Sequence, residues 1–304
     1  MSRGPARAGL GLLAALMVAG LPALTACSGA DAPRPAGDKL GVVAGTNVWG
    51  DVARQVGGDR VSVTSVLSDP AADPHLYSAS ARDAAAISAA RVVVVNGLGY
   101  DAFMDKLLAA SVGRDRVVVV VADVVHAPAD ANPHLWYDPA YPPLVARAVA
   151  DQLGLADAPH AADYRARADT FTAALAPWTA AVTAIRSRYA GATVAVTEPV
   201  PGYLIAAAGL TDATPESFAK AIEDGVEPPT ASGAAMDALL SGHRVRALLY
   251  NSQATSPVTR RVQDLAHSAG VTVVPVTETL PPGEPDLQHW QADQARALLT
   301  ALGG

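Results

Sequence analysis

One cysteine, Cys27, stands in 304 residues. A lone thiol closes no disulfide within the chain, and a cysteine-ligated zinc site cannot be assembled from it. Charged residues make up 17% of the chain and aromatics 5%, and neither value suggests disorder over the whole chain. There is no basic stripe of the kind that tracks a phosphate backbone, which sets nucleic-acid binding aside. A His-Glu-x-x-His helix, a nucleophile elbow and a supported Ser/His/Asp set are all missing, so the common hydrolase signatures find no place here. With 50% hydrophobic residues, whole-chain disorder is excluded as well.

What is present begins with a targeting segment. Arg3 and Arg7 give a basic start, and an apolar run broken by small residues and Pro22 extends from Ala8 to Leu24. Leu24-Thr25-Ala26-Cys27 follows, an ending that resembles a bacterial lipobox. Residues 1–26 therefore read as a signal peptide, the run being short and interrupted for a membrane span. Cys27 is the expected lipidation point, which accounts for the single cysteine better than a reactive thiol does. The polar, Pro/Gly-rich stretch to Asp38 reads as a flexible tether, so that residues 27–38 link lipid to globule. The formal charge of −7 suits a cationic ligand, though solubility alone also favours it.

From Lys39 short apolar runs alternate with helical segments. Strands are expected at Leu40 to Ala44, Val61 to Leu67, Arg91 to Asn96 and Val117 to Val121, the last two as valine runs buried on both faces. Helices fall between them. The same rhythm returns at Thr193 to Thr197, Val245 to Tyr250 and Val271 to Val276, with a final helix at His289 to Leu302. Between the halves a helical region runs with breaks from Tyr141 to Tyr189, and Pro177 should kink or split it. The expected fold is α/β: two lobes, each a mostly parallel sheet flanked by helices, joined by a long linking helix. The boundaries are 39–140 for the first lobe, 141–190 for the link and 191–304 for the second lobe.

Open α/β sheets bind ligands beyond the carboxyl ends of their strands. Four side chains sit at such places. His75 lies in Asp73-Pro74-His75-Leu76-Tyr77 and His134 in Asn132-Pro133-His134-Leu135-Trp136, a doubled Pro-His-Leu-aromatic unit. Glu198 and Glu278 each close an apolar strand within a Thr-Glu pair. A buried carboxylate is costly without a partner. Two imidazoles and two carboxylates make a borderline-hard set: imidazole suits zinc, copper, iron and nickel, carboxylates widen the choice to manganese, and calcium and magnesium prefer oxygen alone. His126, His160, His243, His267 and His289 read as surface residues. Trp49 reads as packing and Asn47 as a residue of the cleft mouth, while Asn251 and Gln253 are candidate donors to the ligands.

The motifs DPHLY (73–77), RVVVVNGLGYDAFMDKLL (91–108), NPHLWYDP (132–139), AVTEP (195–199) and VTETLP (276–281) resemble the metal-binding components of zinc/manganese ABC importers, the family of ZnuA-like and PsaA-like proteins. The resemblance runs from Lys39 to the C-terminus. It implies a lipoprotein that captures one Zn2+ or Mn2+ ion between two lobes and delivers it to a membrane permease, not an enzyme. It places the ligands on His75, His134, Glu198 and Glu278; the last stands where the family usually has an aspartate. The chain lacks the His-rich loop of many zinc members, and a glutamate as third ligand is a feature of manganese members. It further implies export, anchoring through Cys27 at the outer face of the cytoplasmic membrane, and a monomer. The alternatives are an exported metalloenzyme, or a binding protein for a metal chelate or small solute.

Overall fold

The computed structural model describes residues 39–69, 77–111 and 115–303. The expected signal segment, Cys27, the tether and His75 lie outside the described residues. Among the described residues no helix is long and apolar enough to cross a membrane.

The valine run Val92–Val95 is β3, buried at every position. β1 (Leu40–Thr46) flanks it on one side and β4 (Val117–Val120) on the other, while β2 (Val61–Leu67) lies outside β1. All pairs are parallel, in the order β2-β1-β3-β4. Helices α1 (Asn47–Gly57), α2 (Ala81–Ala89), α3 (Ala102–Ala110) and the short α4 (Val121–Val124) complete this part. β4 corrects one expectation. It is an edge strand, and Val117 and Val118 are 37% and 38% exposed rather than buried. A run of valines specifies a strand, but its place in the sheet order decides how much of it is covered.

The linking region is three helices: α5 (Tyr141–Ala156), α6 (Ala161–Ala174) and α7 (Ala176–Tyr189). Only Leu175 separates α6 from α7, and Pro177 sits in the first turn of α7. A proline there lacks only an N–H that a helix start leaves unpaired anyway, so it divides the region without disordering it. α5 packs along α6, and α1 packs on both.

The second part holds β5 (Thr193–Val196), α8 (Gly202–Ala207), β6 (Thr211–Asp212), α9 (Glu216–Glu223), α10 (Thr230–Ser241), β7 (Ala247–Asn251), α11 (Pro257–Ser268), β8 (Thr272–Val276) and α12 (Leu287–Ala301). Its sheet is also parallel, ordered β6-β5-β7-β8, which repeats the arrangement of the first.

Strand alternation divides the core. Val42, Ala44, Val92 and Val94 of the first sheet, with Val194, Val196, Ala247 and Leu249 of the second, face one cluster that runs continuously through α1, α5, α6, α7 and α12. The opposite face of the first sheet packs Val43, Val93 and Val95 on Ile87, Phe103 and Met104. The opposite face of the second packs Ala195 and Leu248 on Phe218, Met236 and Val262.

Candidate metal site

Three neighbouring strands of the second sheet deliver three polar side chains to one place. The register pairs Val196 with Leu249 and Asn251 with Val276, so Glu198, Asn251 and Glu278 emerge side by side at the carboxyl ends of β5, β7 and β8. All three are buried. The Asn251 Nδ2 amide donates to Glu278 Oε1 at 2.8 Å and also to Glu198 Oε2. Two carboxylates in a dry site repel, and a shared amide donor partly offsets that. Gln253 holds the chain of Glu278 in place: its Oε1 accepts from the backbone N–H of Thr279 at 3.1 Å and from that of Glu278. Asn251 thus donates to both carboxylates, as the sequence suggested, whereas Gln253 accepts from the backbone beside Glu278.

The first lobe supplies His134. It is the centre of an inverse γ-turn, with φ −78° and ψ 54°, closed by the Leu135 N–H donating to the Pro133 carbonyl at 2.8 Å. Asn96, at the end of β3, donates to that same carbonyl at 2.9 Å. Tyr100 and Trp136 stand edge-on to the imidazole, with ring centroids 5.6 and 5.4 Å away. The ring is fully buried; its Nδ1 lies 2.6 Å from Asn132 Oδ1, and its Nε2 lies 3.5 Å from Glu278 Oε2. Among the described residues that Nε2 has no hydrogen-bond partner. Tyr100 donates its hydroxyl to Glu278 Oε2 at 3.1 Å, so the carboxylate is touched from both lobes.

The loop carrying Tyr100 has an unusual backbone. Gly97, Leu98 and Gly99 all take positive φ, at 81°, 55° and 77°. Asp101 secures it by accepting from the backbone N–H groups of Asn96 and Gly97 at 2.7 and 3.0 Å. Burial pushes the Asp101 carboxyl up to about 6, against the lowering effect of those two bonds. Gly45 makes room for it, since a Cβ there would lie 2.4 Å from Asp101 Oδ2. Further bonds join the lobes around the site. Asn47 donates to the Leu280 carbonyl at 2.8 Å and accepts from the Leu280 N–H at 3.0 Å, so it braces the lobes rather than lining a mouth. Tyr137 donates to the Thr277 carbonyl at 2.7 Å. Trp49 is buried and donates to Asn96 Oδ1 at 2.9 Å, a packing role. A cleft of about 640 Å³ opens beside the site, bordered by Tyr100, Asn132 and Pro133 and by Pro199, Thr214 and Lys220.

Of the four side chains the sequence singled out, His134, Glu198 and Glu278 gather at one point, and His75 lies outside the described residues. Among the described residues no three His, Cys, Asp or Glu side chains are spaced to hold an ion by themselves. His126, His243, His267 and His289 are exposed and His160 is half-buried. Sequence reasoning passed over Tyr100, Asn96, Asp101 and Asn132. The signal for them was in the quoted motifs: Asn96 opens Asn-Gly-Leu-Gly-Tyr-Asp and Asn132 opens Asn-Pro-His.

Two parallel sheets of the same order, with polar side chains gathered where their carboxyl ends meet, define a two-lobed α/β binding-protein architecture. The chain belongs to the family described as "Zinc-uptake complex component A periplasmic", which matches residues 42–301. It is 35% identical over 135 residues to the manganese-binding lipoprotein MntA of Bacillus subtilis, a stretch covering 42% of this chain and 43% of that protein. It is 27% identical over 152 residues to the manganese ABC transporter substrate-binding lipoprotein PsaA of Streptococcus pneumoniae, covering 46% and 49%. The chain thus spans less than half the length of these curated relatives. Among solved structures it shares its fold with a Mn-bound periplasmic metal binding protein from candidatus liberibacter asiaticus, with a TM-score of 0.71, 16% identity and coverage of 87% and 100%. It also matches the SBP FpvC from Pseudomonas aeruginosa in complex with Mn2+, with a TM-score of 0.72, 19% identity and coverage of 87% and 98%.

Proposed function

We propose that this chain captures one divalent transition-metal ion, Zn2+ or Mn2+, outside the cytoplasm and delivers it to the membrane permease of an ABC importer. His75, His134, Glu198 and Glu278 are its ligands, the two histidines from the first lobe and the two carboxylates from the second. Cys27 carries the lipid that keeps the protein at the outer face of the membrane. The transported ion is cargo, and the chain acts as a carrier rather than an enzyme. The observation that carries this reading is the buried Nε2 of His134, without a hydrogen-bond partner among the described residues, facing a Glu278 oxygen at 3.5 Å. A nitrogen lone pair and a carboxylate so placed repel unless something positive joins them. Family membership and relatives named as manganese-binding lipoproteins favour a metal ion over a proton in that role.

Elemental analysis of protein purified without added metal should find about one equivalent per chain, and competition between Zn2+ and Mn2+ gives the preference. A His134→Ala/Glu278→Ala double variant should lose it; unchanged stoichiometry in that variant would reject the ligand assignment. The cleft of about 640 Å³ supports a second reading, a metal chelate as the captured species. Titration separates the two, because a chelate carrier would ignore the bare ions.

A further inference from the structure

Asn132 makes four hydrogen bonds that run in two directions. Its Oδ1 accepts from the His134 backbone N–H at 3.0 Å and lies 2.6 Å from His134 Nδ1. Its Nδ2 donates to the Pro199 carbonyl at 2.6 Å, and its own carbonyl accepts from the Tyr203 hydroxyl at 2.9 Å. Pro199 follows Glu198, and Tyr203 lies in α8, so the second pair of bonds ends on the other lobe. A backbone N–H can only donate and a backbone carbonyl can only accept. These two partners therefore fix which end of the amide is oxygen. With an oxygen facing it, His134 Nδ1 must carry the hydrogen, and in the neutral ring Nε2 is left as a bare lone pair on the Glu278 side.

Gly202, the first residue of α8, completes the arrangement. Helix propensity favours alanine over glycine, yet a Cβ at this position would lie 2.8 Å from Asn132 Nδ2. The glycine leaves space for the amide to reach Pro199.

We propose that Asn132 is a positioning residue that sets the tautomer of His134 and straps it to the start of α8, so that the ion-facing nitrogen is held by a bond crossing between the lobes. This rests on the metal-capture reading for its consequence, though not for its test. The experiment compares wild type, Asn132→Ala, Gly202→Ala and a control, Gly233→Ala, whose added Cβ meets nothing within 4 Å. Two quantities are read on folded protein: the ring tautomer of His134 in the metal-free state, by multiple-bond ¹H–¹⁵N correlation, and the affinity for Zn2+ and Mn2+ by competition. Wild type and control should show a single Nδ1–H tautomer. Asn132→Ala and Gly202→Ala should lose it and bind roughly tenfold or more weakly, the range usual for outer partners of a ligating histidine. A wild-type tautomer retained in both Asn132→Ala and Gly202→Ala, with affinities within about twofold, would overturn the proposal. Should the wild type bind neither ion, the capture reading falls, while the tautomer in the glycine variant still decides the strap.

Discussion

Asp101 illustrates how a single carboxyl can work against the fold it organises. Its folded-state value of about 6 lies above the ordinary 3.8, so between those limits the folded protein holds a proton that the unfolded chain has released. Stability from this group therefore falls as pH rises through that window and is regained on acidification. Urea denaturation should show that slope between about pH 4 and pH 6, and Asp101→Asn should flatten it. Asn251→Ala removes the amide shared by Glu198 and Glu278. The metal-free variant should be about 1–3 kcal/mol less stable, the usual cost of stripping a partner from buried polar groups, and saturating Mn2+ should recover part of the loss in the same denaturation series. At this scale the sequence showed His134, Glu198 and Glu278 because each closes a strand or opens a turn beside a distinctive neighbour. It did not show Tyr100 or Asn132, whose partners Glu278 and Pro199 come from the other lobe and are chosen by topology rather than by spacing.

Elements were legible where they were long enough for a pattern to show, whatever their burial. β2 runs from Val61 to Leu67, the bounds expected for it. β6 and α9 escaped notice: one is two residues long, and the other is eight residues set between Pro215 and Gly225, too short for a helical period to stand out. The long link was visible as an alanine-rich helical stretch with a proline, and the structure resolves it into packed helices rather than one rod. α5 provides a test of that packing within two residues. Leu153 is fully buried against its neighbours, whereas Leu155 is 76% exposed. Leu153→Ala should cost about 2–5 kcal/mol, and Leu155→Ala less than about 0.5 kcal/mol, in the same urea series. Equal effects would mean that α5 does not seat as described.

For the whole molecule, the decisive feature is the cluster that passes from the first sheet through the linking helices to the second. Residues 39–304 form one compact unit, which predicts a single calorimetric transition rather than one per sheet. Added ion should move that transition to higher temperature without splitting it, and adds about 2.7 kcal/mol of stability at a free concentration a hundredfold above Kd. Two separated peaks would show that the sheets unfold independently. The continuous cluster also bears on how such a protein can be divided. Cut between Ala190 and Gly191, each half would present to water the apolar side it normally shares with the other. The pieces should be insoluble apart and should recover a binding site only when expressed together, as complementing fragments rather than as interchangeable modules.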